Sequence, residues 1–591
     1  MLKKSYLLVP ASNEGNGTGH LRRMIDLYKG LKNRSEVSIF ISQRDISEIN
    51  KKLLENNVDQ DDIYQLNLPK NSIWDFIVVD YRNSPNLLIT DLAHRGFLIG
   101  VDEGSLNRVK FNYLIDIIPS LKQITKANIA STGLMNLPEK HLYKKSLSYN
   151  NILISFGGED SLGLTNILLD FIYKYNYFSQ SEITIAGSEN IVSEKYLQLV
   201  TILSNENNLK NILYKFDLVF TSFGLTPFES LASGVPFLLL NPSSYHDKLS
   251  TVCGFPVIGT KIPKKKKVDN YLFNYYDYKS LQYKYIPEKY SNLKDLVLSI
   301  NITDSTCPVC QVKCKAEDIL HRYETRNFYK CPDCQIIFQV KFSDNEDSYK
   351  EAYFFEDYKN QYGKTYLEDF NNIQEFAKAR LKIINSIRPV NKNGHINSSL
   401  LDIGCAYGPF LVESSNYGFL PQGVEIIPEA ADYVRSEFGY EVFTGAFEDA
   451  VFEHQFDAVT MWYVMEHFTN PDYILTRVNK LLKPGGIFSF STPNSSGISA
   501  KKKMSSFLLK SPMDHITIWN PKIADIVLRR YGFKIKKIRI TGHHPERFSD
   551  FSKKNFSFIN KIFYIISKIF KLGDTFEVYA EKVNEKQRKK L

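Results

Sequence analysis

The hydrophobic pattern of the first 300 residues is a run of short, continuous apolar stretches separated by helical periodicity. "SYLLVP" (5–10), "WDFIVVDY" (74–81), "RGFLIGVD" (95–102) and "NYLIDII" (112–118) read as buried parallel strands. "NILISFGG" (151–158), "EITIAG" (182–187), "FDLVFTSFG" (216–224) and "VPFLLLN" (235–241) repeat the pattern. Strands that are apolar on both faces and alternate with helices imply doubly wound parallel sheets. Two such sets predict two lobes, over 1–145 and 146–300, with a cleft between them.

After a Tyr- and Lys-rich stretch near 261–300, the pattern breaks at a short Cys-rich segment (301–345) and an aromatic one. A further βαβ series follows over 346–591: "SLLDIGCAYG", "LPQGVEI", "FDAVTMWYVMEHF" and "GGIFSFSTPN". It closes on "FKIKKIRI" and "TFEVYAEKV", whose alternation predicts an antiparallel edge pair. The expected fold class is therefore α/β throughout, with a small ribbon inserted between the halves.

Size and composition agree with this division. At 591 residues the chain exceeds one core, and 43% hydrophobic with 24% charged residues is ordinary globular composition. The net charge of +9 lies largely in lysine clusters at 264–267, 501–503 and the C-terminus, which a solvated surface accounts for. No nucleic-acid partner is expected. The N-terminal apolar run is too short for a signal peptide, and no stretch reaches the ~18–20 apolar residues of a membrane span. A cytoplasmic protein is expected. "FSKKNFSFINKIFYIISKIFKLG" (551–573) is amphipathic, and either packs over the last sheet, makes a dimer contact, or lies on a membrane face.

Five of the seven cysteines fall in one short window. Cys307 and Cys310 form one CxxC pair, Cys331 and Cys334 another, and two such knuckles can complete a tetrahedral, closed zinc site. Cys314 and His321 lie between them and leave the ligand set open. Structural zinc is expected, not a catalytic metal.

Two loops have the composition of ligand cradles. In "DIGCAYG" (402–408) a strand ends at Asp402, and Gly404, Cys405 and Gly408 turn the chain into a helix. The next strand ends at Glu425, where a carboxylate can accept both hydroxyls of a ribose. "LLDIGCAYGPFL…GVEI…GAFEDA…FDAVTMWYVMEHFTNP…LLKPGGIFSFSTPN" resembles the class I S-adenosylmethionine-dependent methyltransferases. The spacing is not the GxGxxG of a plain dinucleotide reductase. The resemblance implies that Asp402, Gly404, Cys405 and Gly408 contact the methionine half of the donor, and Glu425 its ribose. It places Phe447 and Glu448 beside the adenine and Trp462 beneath the donor. His467 in "MEHF" and His515 in "MDHITIW" are the candidate bases, with packing and turn-capping as alternatives. Zinc knuckles ahead of an aromatic segment resemble sugar methyltransferases of surface-polysaccharide pathways. Tyr349, Tyr353, Tyr358, Tyr362 and Tyr366 are then either a lid over the donor or core packing.

The second cradle is "GNGTGH" (15–20), at a strand-to-helix turn without the Lys-Ser/Thr of a P-loop. With "ISFGGED" and "SFGLTPFESLASGVP" it offers Gly17, Gly19, Gly157, Gly158, Gly224, Thr226 and Glu229 to a diphosphate and a ribose. These segments resemble the GT-B superfamily, most closely the UDP-sugar hydrolase of pseudaminic acid biosynthesis and spore-coat polysaccharide relatives. That resemblance implies a UDP-type sugar ligand and makes His20 the base or water-positioning residue. "SSYHDKLS" departs from the family's Asn-Gln, so His246 and Asp247 stand in for its sugar contacts, and "VDEGSLNR" departs from its Asp-Asp. The function expected is a bifunctional surface-glycan protein: a methyltransferase for a sugar or glycan acceptor, fused to a nucleotide-sugar hydrolase or glycosyltransferase. The alternatives are a single-activity methyltransferase with a glycan- or partner-binding N-terminal half, and a nucleic-acid methyltransferase.

Overall fold

The computed structural model describes all residues except 1–2, 12–18, 43–46, 122, 144–147, 158–159, 161, 204–208, 275, 290, 303, 343–358, 360–362, 390–397, 549–556 and 585–591. The chain divides into two compact units, Met1–Ile302 with Arg322–Thr325, and Thr303–His321 with Arg326–Leu591.

The first unit holds two seven-stranded sheets. In the first, β1 (Ser5–Pro10), β2 (Glu36–Ile41), β3 (Ile63–Gln65), β4 (Phe76–Asp80), β5 (Phe97–Val101), β6 (Tyr113–Asp116) and β7 (Ile129–Ala130) run in the order β3-β2-β1-β4-β5-β6-β7. Each neighbouring pair is parallel. The second comprises β8 (Asn151–Ser155), β9 (Glu182–Ala186), β10 (Thr201–Leu203), β11 (Leu218–Thr221), β12 (Phe237–Asn241), β13 (Val257–Thr260) and β14 (Ile262–Pro263). Its order is β10-β9-β8-β11-β12-β13-β14, with only the last pair antiparallel. The wholly buried β4 and β12 show why continuous apolar runs read correctly as central strands. The Tyr- and Lys-rich stretch forms three helices, and the last, Leu293–Ser299, returns to the first sheet's layer. Lys4 Nζ there donates to the carbonyl of Ile300 at 3.2 Å.

In the second unit a four-stranded sheet comes first: β15 (Ile319–Arg322), β16 (Arg326–Lys330), β17 (Ile337–Lys341) and, far along the chain, β23 (Thr517–Ile518). The Cys-rich segment, expected as a separate ribbon, is thus stitched to the C-terminal part by the β17–β23 pair. It also shares that part's core, in which Cys307, Cys331 and Cys334 are grouped with Leu401, Met461 and Trp519.

The large sheet contains β18 (Ser398–Ile403), β19 (Phe419–Glu425), β20 (Glu441–Thr444), β21 (Phe456–Trp462), β22 (Leu482–Pro493), β24 (Phe533–Thr541) and β25 (Thr575–Lys582). Their order is β20-β19-β18-β21-β22-β25-β24. The last two strands form the expected antiparallel pair at one edge of the sheet. β25 inserts between β22 and β24, antiparallel to both. Its interior is buried on both faces, Phe576, Val578 and Ala580 on one and Glu577 and Tyr579 on the other. Alternation did not show that β25 is the inner strand of the pair, because its polar-looking face carries Glu577 and Tyr579, which are paired inside the protein.

Candidate functional site

Parallel strands present their carboxyl ends on one edge, and ligands of such sheets lie where the strand order reverses. In the large sheet that point falls between β18 and β21. The loop leaving β18 is forced into shape by glycine. Gly404 has φ +73°, and a Cβ there would stand 2.5 Å from Val464. Gly408 has φ +83° and would press on Val434 at 2.9 Å. Glu425, at the end of β19, fastens this loop. Its Oε2 accepts from the Ala406 N–H at 2.8 Å and its Oε1 from the Ile427 N–H at 3.0 Å. Burial raises the Glu425 carboxyl, and those backbone donors pull it the other way. Each oxygen keeps a second lone pair for a ligand hydroxyl. Asp402 accepts from Thr460 Oγ1 at 2.6 Å, and burial pushes its carboxyl up to about 7 against that bond and the nearby Arg380 charge.

Two expected donor contacts need correction. The Cys405 thiol points into the core, among Leu411, Val434 and Val442, where a Cβ on Gly423 would meet its sulfur at 2.6 Å. Only its backbone faces the loop. The Phe447 ring is likewise core, 2% exposed with the Arg477 guanidinium 4.9 Å from its centre; beside it Glu448 is half-buried. Trp462, at the end of β21, packs on Phe410 at 5.2 Å, and its buried indole N–H has no acceptor among the described residues.

Sequence reading missed Arg380. It lies on the helix Phe370–Ile387, places its guanidinium 4.1 Å from the centre of the Trp462 ring, and donates through Nε to Glu577 at 3.0 Å. Arg539 and Tyr579 share the same carboxylate. The Arg380 charge also faces the buried Asp402 carboxyl at the end of β18. The signal was hidden, because nothing in a helical sequence says which arginine turns inward. Of the five tyrosines, Tyr366 packs against Ala406, Tyr407 and Ile427 beside the donor loop; Tyr349, Tyr353, Tyr358 and Tyr362 lie outside the described residues.

His467 and His515, 48 positions apart in sequence, meet edge to face with ring centres 4.7 Å apart. His467 Nδ1 is 3.0 Å from Asp514 Oδ2, and Glu466, His467 and His515 have their ligand-type atoms within 4.8 Å of one another. Burial works against the charged form of His467, but the Asp514 bond and the Glu466 charge outweigh it and raise its pKa. Burial and the His467 charge push His515 down to about 3. The segment carrying His515 is held from the Cys-rich sheet. Arg326 on β16 donates to the carbonyls of Leu508, Leu509, Ser511 and Pro512, and Gln339 on β17 to that of Met513 at 2.5 Å.

In the Cys-rich sheet the two knuckles are near copies. Gln311 N donates to Cys307 O and Gln335 N to Cys331 O, and both glutamines have positive φ. The sulfurs pair at 3.6 Å (Cys307–Cys334) and 3.4 Å (Cys310–Cys331), and all four lie within 4.8 Å. Four thiolates round one point match the donor set of a tetrahedral ion, whose ligand sulfurs stand ~3.8 Å apart. Cys314 and His321 are outside this group; the Cys314 thiol turns to the Val312 carbonyl.

In the first unit, His20 follows β1 and Asp80 ends β4, on either side of the first sheet's reversal point. His20 Nδ1 is 2.7 Å from Asp80 Oδ1. Arg23 spans Asp80 (2.6 and 2.8 Å) and Asp102 (2.8 Å). Burial favours the neutral acid, yet the charges of Arg23 and His20 outweigh it and hold the Asp80 carboxyl at about 2. Arg23, Asp80 and Asp102 were missed as site residues. Gly157 and Gly224 occupy the matching positions after β8 and β11, and both face open space. Thr226 begins the helix Thr226–Ala232. The helix Gly19–Lys32 faces that one, since a Cβ on Gly19 would lie 3.9 Å from Leu225. Burial raises the Glu229 carboxyl against the charges of Lys210 and Arg22. Gly17 and Gly158 lie outside the described residues. Asp247 is a strut and not a free contact: it binds Asn241 at 2.8 Å and Thr260, while His246 pairs with Ser243 Oγ at 2.8 Å.

Comparison with known proteins bears on the second unit. A family model described as a methyltransferase domain matches residues 371–538. The ubiquinone biosynthesis O-methyltransferase of Hydrogenovibrio crunogenus is 22% identical over 194 residues, 30% of this chain and 78% of that protein. The enzyme of the same name from Burkholderia thailandensis is 25% identical over 186 residues, 28% of this chain and 80% of its own. A solved S-adenosylmethionine-dependent methyltransferase from Archaeoglobus fulgidus aligns over 39% of this chain and all of its own, at 17% identity and a TM-score of 0.28. The family match spans the glycine loop of β18, the carboxylate of β19 and the His467 turn. The C-terminal region is a class I S-adenosylmethionine-dependent methyltransferase domain.

Proposed function

We propose that the second unit transfers a methyl group to a hydroxyl of a sugar or glycan, with Gly404, Gly408, Glu425, Asp402 and Trp462 holding the donor. S-adenosylmethionine supplies an electrophilic methyl on a sulfonium, so the protein has only to align the acceptor and take its proton. The observation that carries this reading is the Asp514–His467–His515 chain at the end of the strand nearest the donor loop. His467, with Asp514 behind it and its pKa raised, is the better base. His515, held neutral, orients the acceptor. Arg380 is suited to the donor carboxylate. Transfer to oxygen is also what the names of the relatives describe for those proteins. The pH–rate profile tests it: wild type should show an ascending limb set by His467 that His467→Gln removes, while S-adenosylhomocysteine binding persists. An unchanged profile would refute His467 as base.

The four cysteines are read as a structural zinc site that fixes the sheet carrying Arg326 and Gln339. The first unit is read as a GT-B-like pair of lobes for a UDP-type sugar, acting as hydrolase or glycosyltransferase. Gly19, Gly157, Gly224, Thr226 and Glu229 would hold the nucleotide, and His20, oriented by Asp80, would accept the proton. This reading is supported by two sheets of the same reversed order with their cradle residues at matching strand ends. Calorimetric titration of UDP into the full chain, with Glu229→Ala as control, tests it. Binding lost in the variant supports the site. Absence of UDP binding by a chain that still binds S-adenosylhomocysteine favours a single-activity methyltransferase.

A further inference from the structure

The helix Ser557–Ile569 sits in the connection between β24 and β25. One face is anchored. Phe563 stacks on Phe548 at 5.1 Å, and Ser567 Oγ bonds His543 Nδ1 at 2.7 Å. The other face is bare: Ile562, Ile565 and Ile569 follow one another at helical spacing and are 42%, 55% and 68% exposed, with Phe570 at 66% beyond the end. Three branched aliphatic side chains in a row on solvent are an unfavourable surface.

Among the described residues, the helix carries charge of one sign. The helix contains Lys561 and Lys568 and no acid, and Lys571 follows it. The tertiary fold adds the cluster Lys501–Lys503, which sequence places more than fifty residues away. Ile498 N donates to Leu572 O at 2.9 Å, and Lys502 Nζ to Arg547 O at 3.2 Å, so the helix Ile498–Lys502 is fastened beside the same connection. The nearby acids are engaged: Asp574 with Arg547, Glu546 with His544. All six lysines are exposed.

We propose that this isoleucine stripe and its lysine surround dock on an anionic phospholipid surface, with the isoleucines entering the acyl boundary and the lysines meeting headgroup phosphates. Apolar insertion flanked by lysine, without opposing acids, is the pattern that a lipid interface satisfies and a protein partner with mixed charge does not. The placement has a consequence for the site. Thr575 pairs with Pro493 and with Thr541, so the connection leaves and re-enters at the carboxyl edge of the parallel strands, the edge that carries the glycine loop and Glu425. Docking therefore turns the donor edge of the sheet toward the membrane.

The test is vesicle flotation of the full chain, with phosphatidylcholine vesicles and with vesicles about one-third phosphatidylglycerol. Wild type should partition at least about ten-fold better into the anionic vesicles, and the preference should fall as salt rises. Ile565→Asp should lose binding to both, while Lys501→Glu/Lys568→Glu should lose only the anionic preference, each retaining S-adenosylhomocysteine binding as the check on folding. Equal binding to both vesicles, or wild-type behaviour of the lysine variant, would overturn the proposal. So would a chain that ignores vesicles but forms a dimer which Ile565→Asp dissociates, because the stripe would then belong to a second copy.

Discussion

Arg326 donates through Nη2 to the carbonyl of Ser511 at 2.6 Å, joining a strand of the Cys-rich sheet to the segment that carries Asp514 and His515. With the bonds to Leu508, Leu509 and Pro512, one buried guanidinium reaches four main-chain oxygens at and beyond the end of the helix Met504–Lys510. The knuckles thereby act on the methyltransferase site through backbone geometry.

Arg326→Ala should remove the guanidinium that ties those carbonyls together and let the 508–515 segment shift. A misplacement of about 1 Å costs on the order of a hundred-fold in turnover. S-adenosylhomocysteine affinity, set by the β18 loop, should stay within about two-fold. Steady-state kinetics beside calorimetry separates the two; equal losses in both would mean general unfolding instead.

Replacing Cys334 by Ser should act on the same segment from farther away. Cys334 is fully buried in the core shared with the large sheet, so loss of one thiolate should remove bound zinc and lower the melting temperature of the second unit. Elemental analysis of reduced wild type should find one zinc per chain, and the variant close to none. Zinc-free wild type with an unchanged melt would end the structural-metal reading.

Glu425→Gln keeps the size of the side chain but gives up one of its acceptor oxygens. The loop bond to Ala406 or to Ile427 must then go, and donor affinity should fall about ten- to a hundred-fold. Calorimetry with S-adenosylhomocysteine measures this, and an undiminished affinity would separate Glu425 from the donor.

The Asp402 carboxyl is raised to about 7 by burial. Its folded value lies above the ordinary one near 4, so the fold binds the neutral acid. That contribution is whole below about pH 4 and is lost as pH rises through about 7, on the order of 4 kcal/mol in full. Asp402→Asn, which cannot ionise, should flatten the fall in stability between about pH 4 and 7 in thermal melts of the unliganded chain. An identical pH dependence in both proteins would show that Asp402 ionises freely.

Asp80 carries the opposite sign. Held at about 2 chiefly by Arg23 against the cost of burial, it adds stability above the ordinary carboxylate range that is lost only as pH falls toward 2. Asp80→Ala would leave buried Arg23 with Asp102 as its remaining carboxylate and should cost about 3 kcal/mol at neutral pH. His20→Gln should cost far less while abolishing any UDP-sugar turnover. Retained turnover would leave His20 as a structural partner of Asp80.

The sequence by itself determined four strands of each doubly wound sheet, the core of the Rossmann-like sheet of the second half, its glycine loop with the carboxylate nineteen residues after Ala406, and the paired knuckles. Those features are local. A continuous apolar run, a glycine at positive φ or a CxxC turn is dictated by a few adjacent residues and survives any packing. Only the tertiary structure decided where long-range pairing rules. It put β25 between β22 and β24, because Glu577 finds Arg380 and Arg539 there. It turned Cys405 and Phe447 into the core, brought His515 to His467, and made Arg23, Arg326 and Arg380 the charged ties of their sites. An arginine in a helix or strand looks the same in sequence whether it faces water or a buried carboxylate. Its role is fixed by partners tens to hundreds of residues away, which only the folded chain brings within hydrogen-bonding reach.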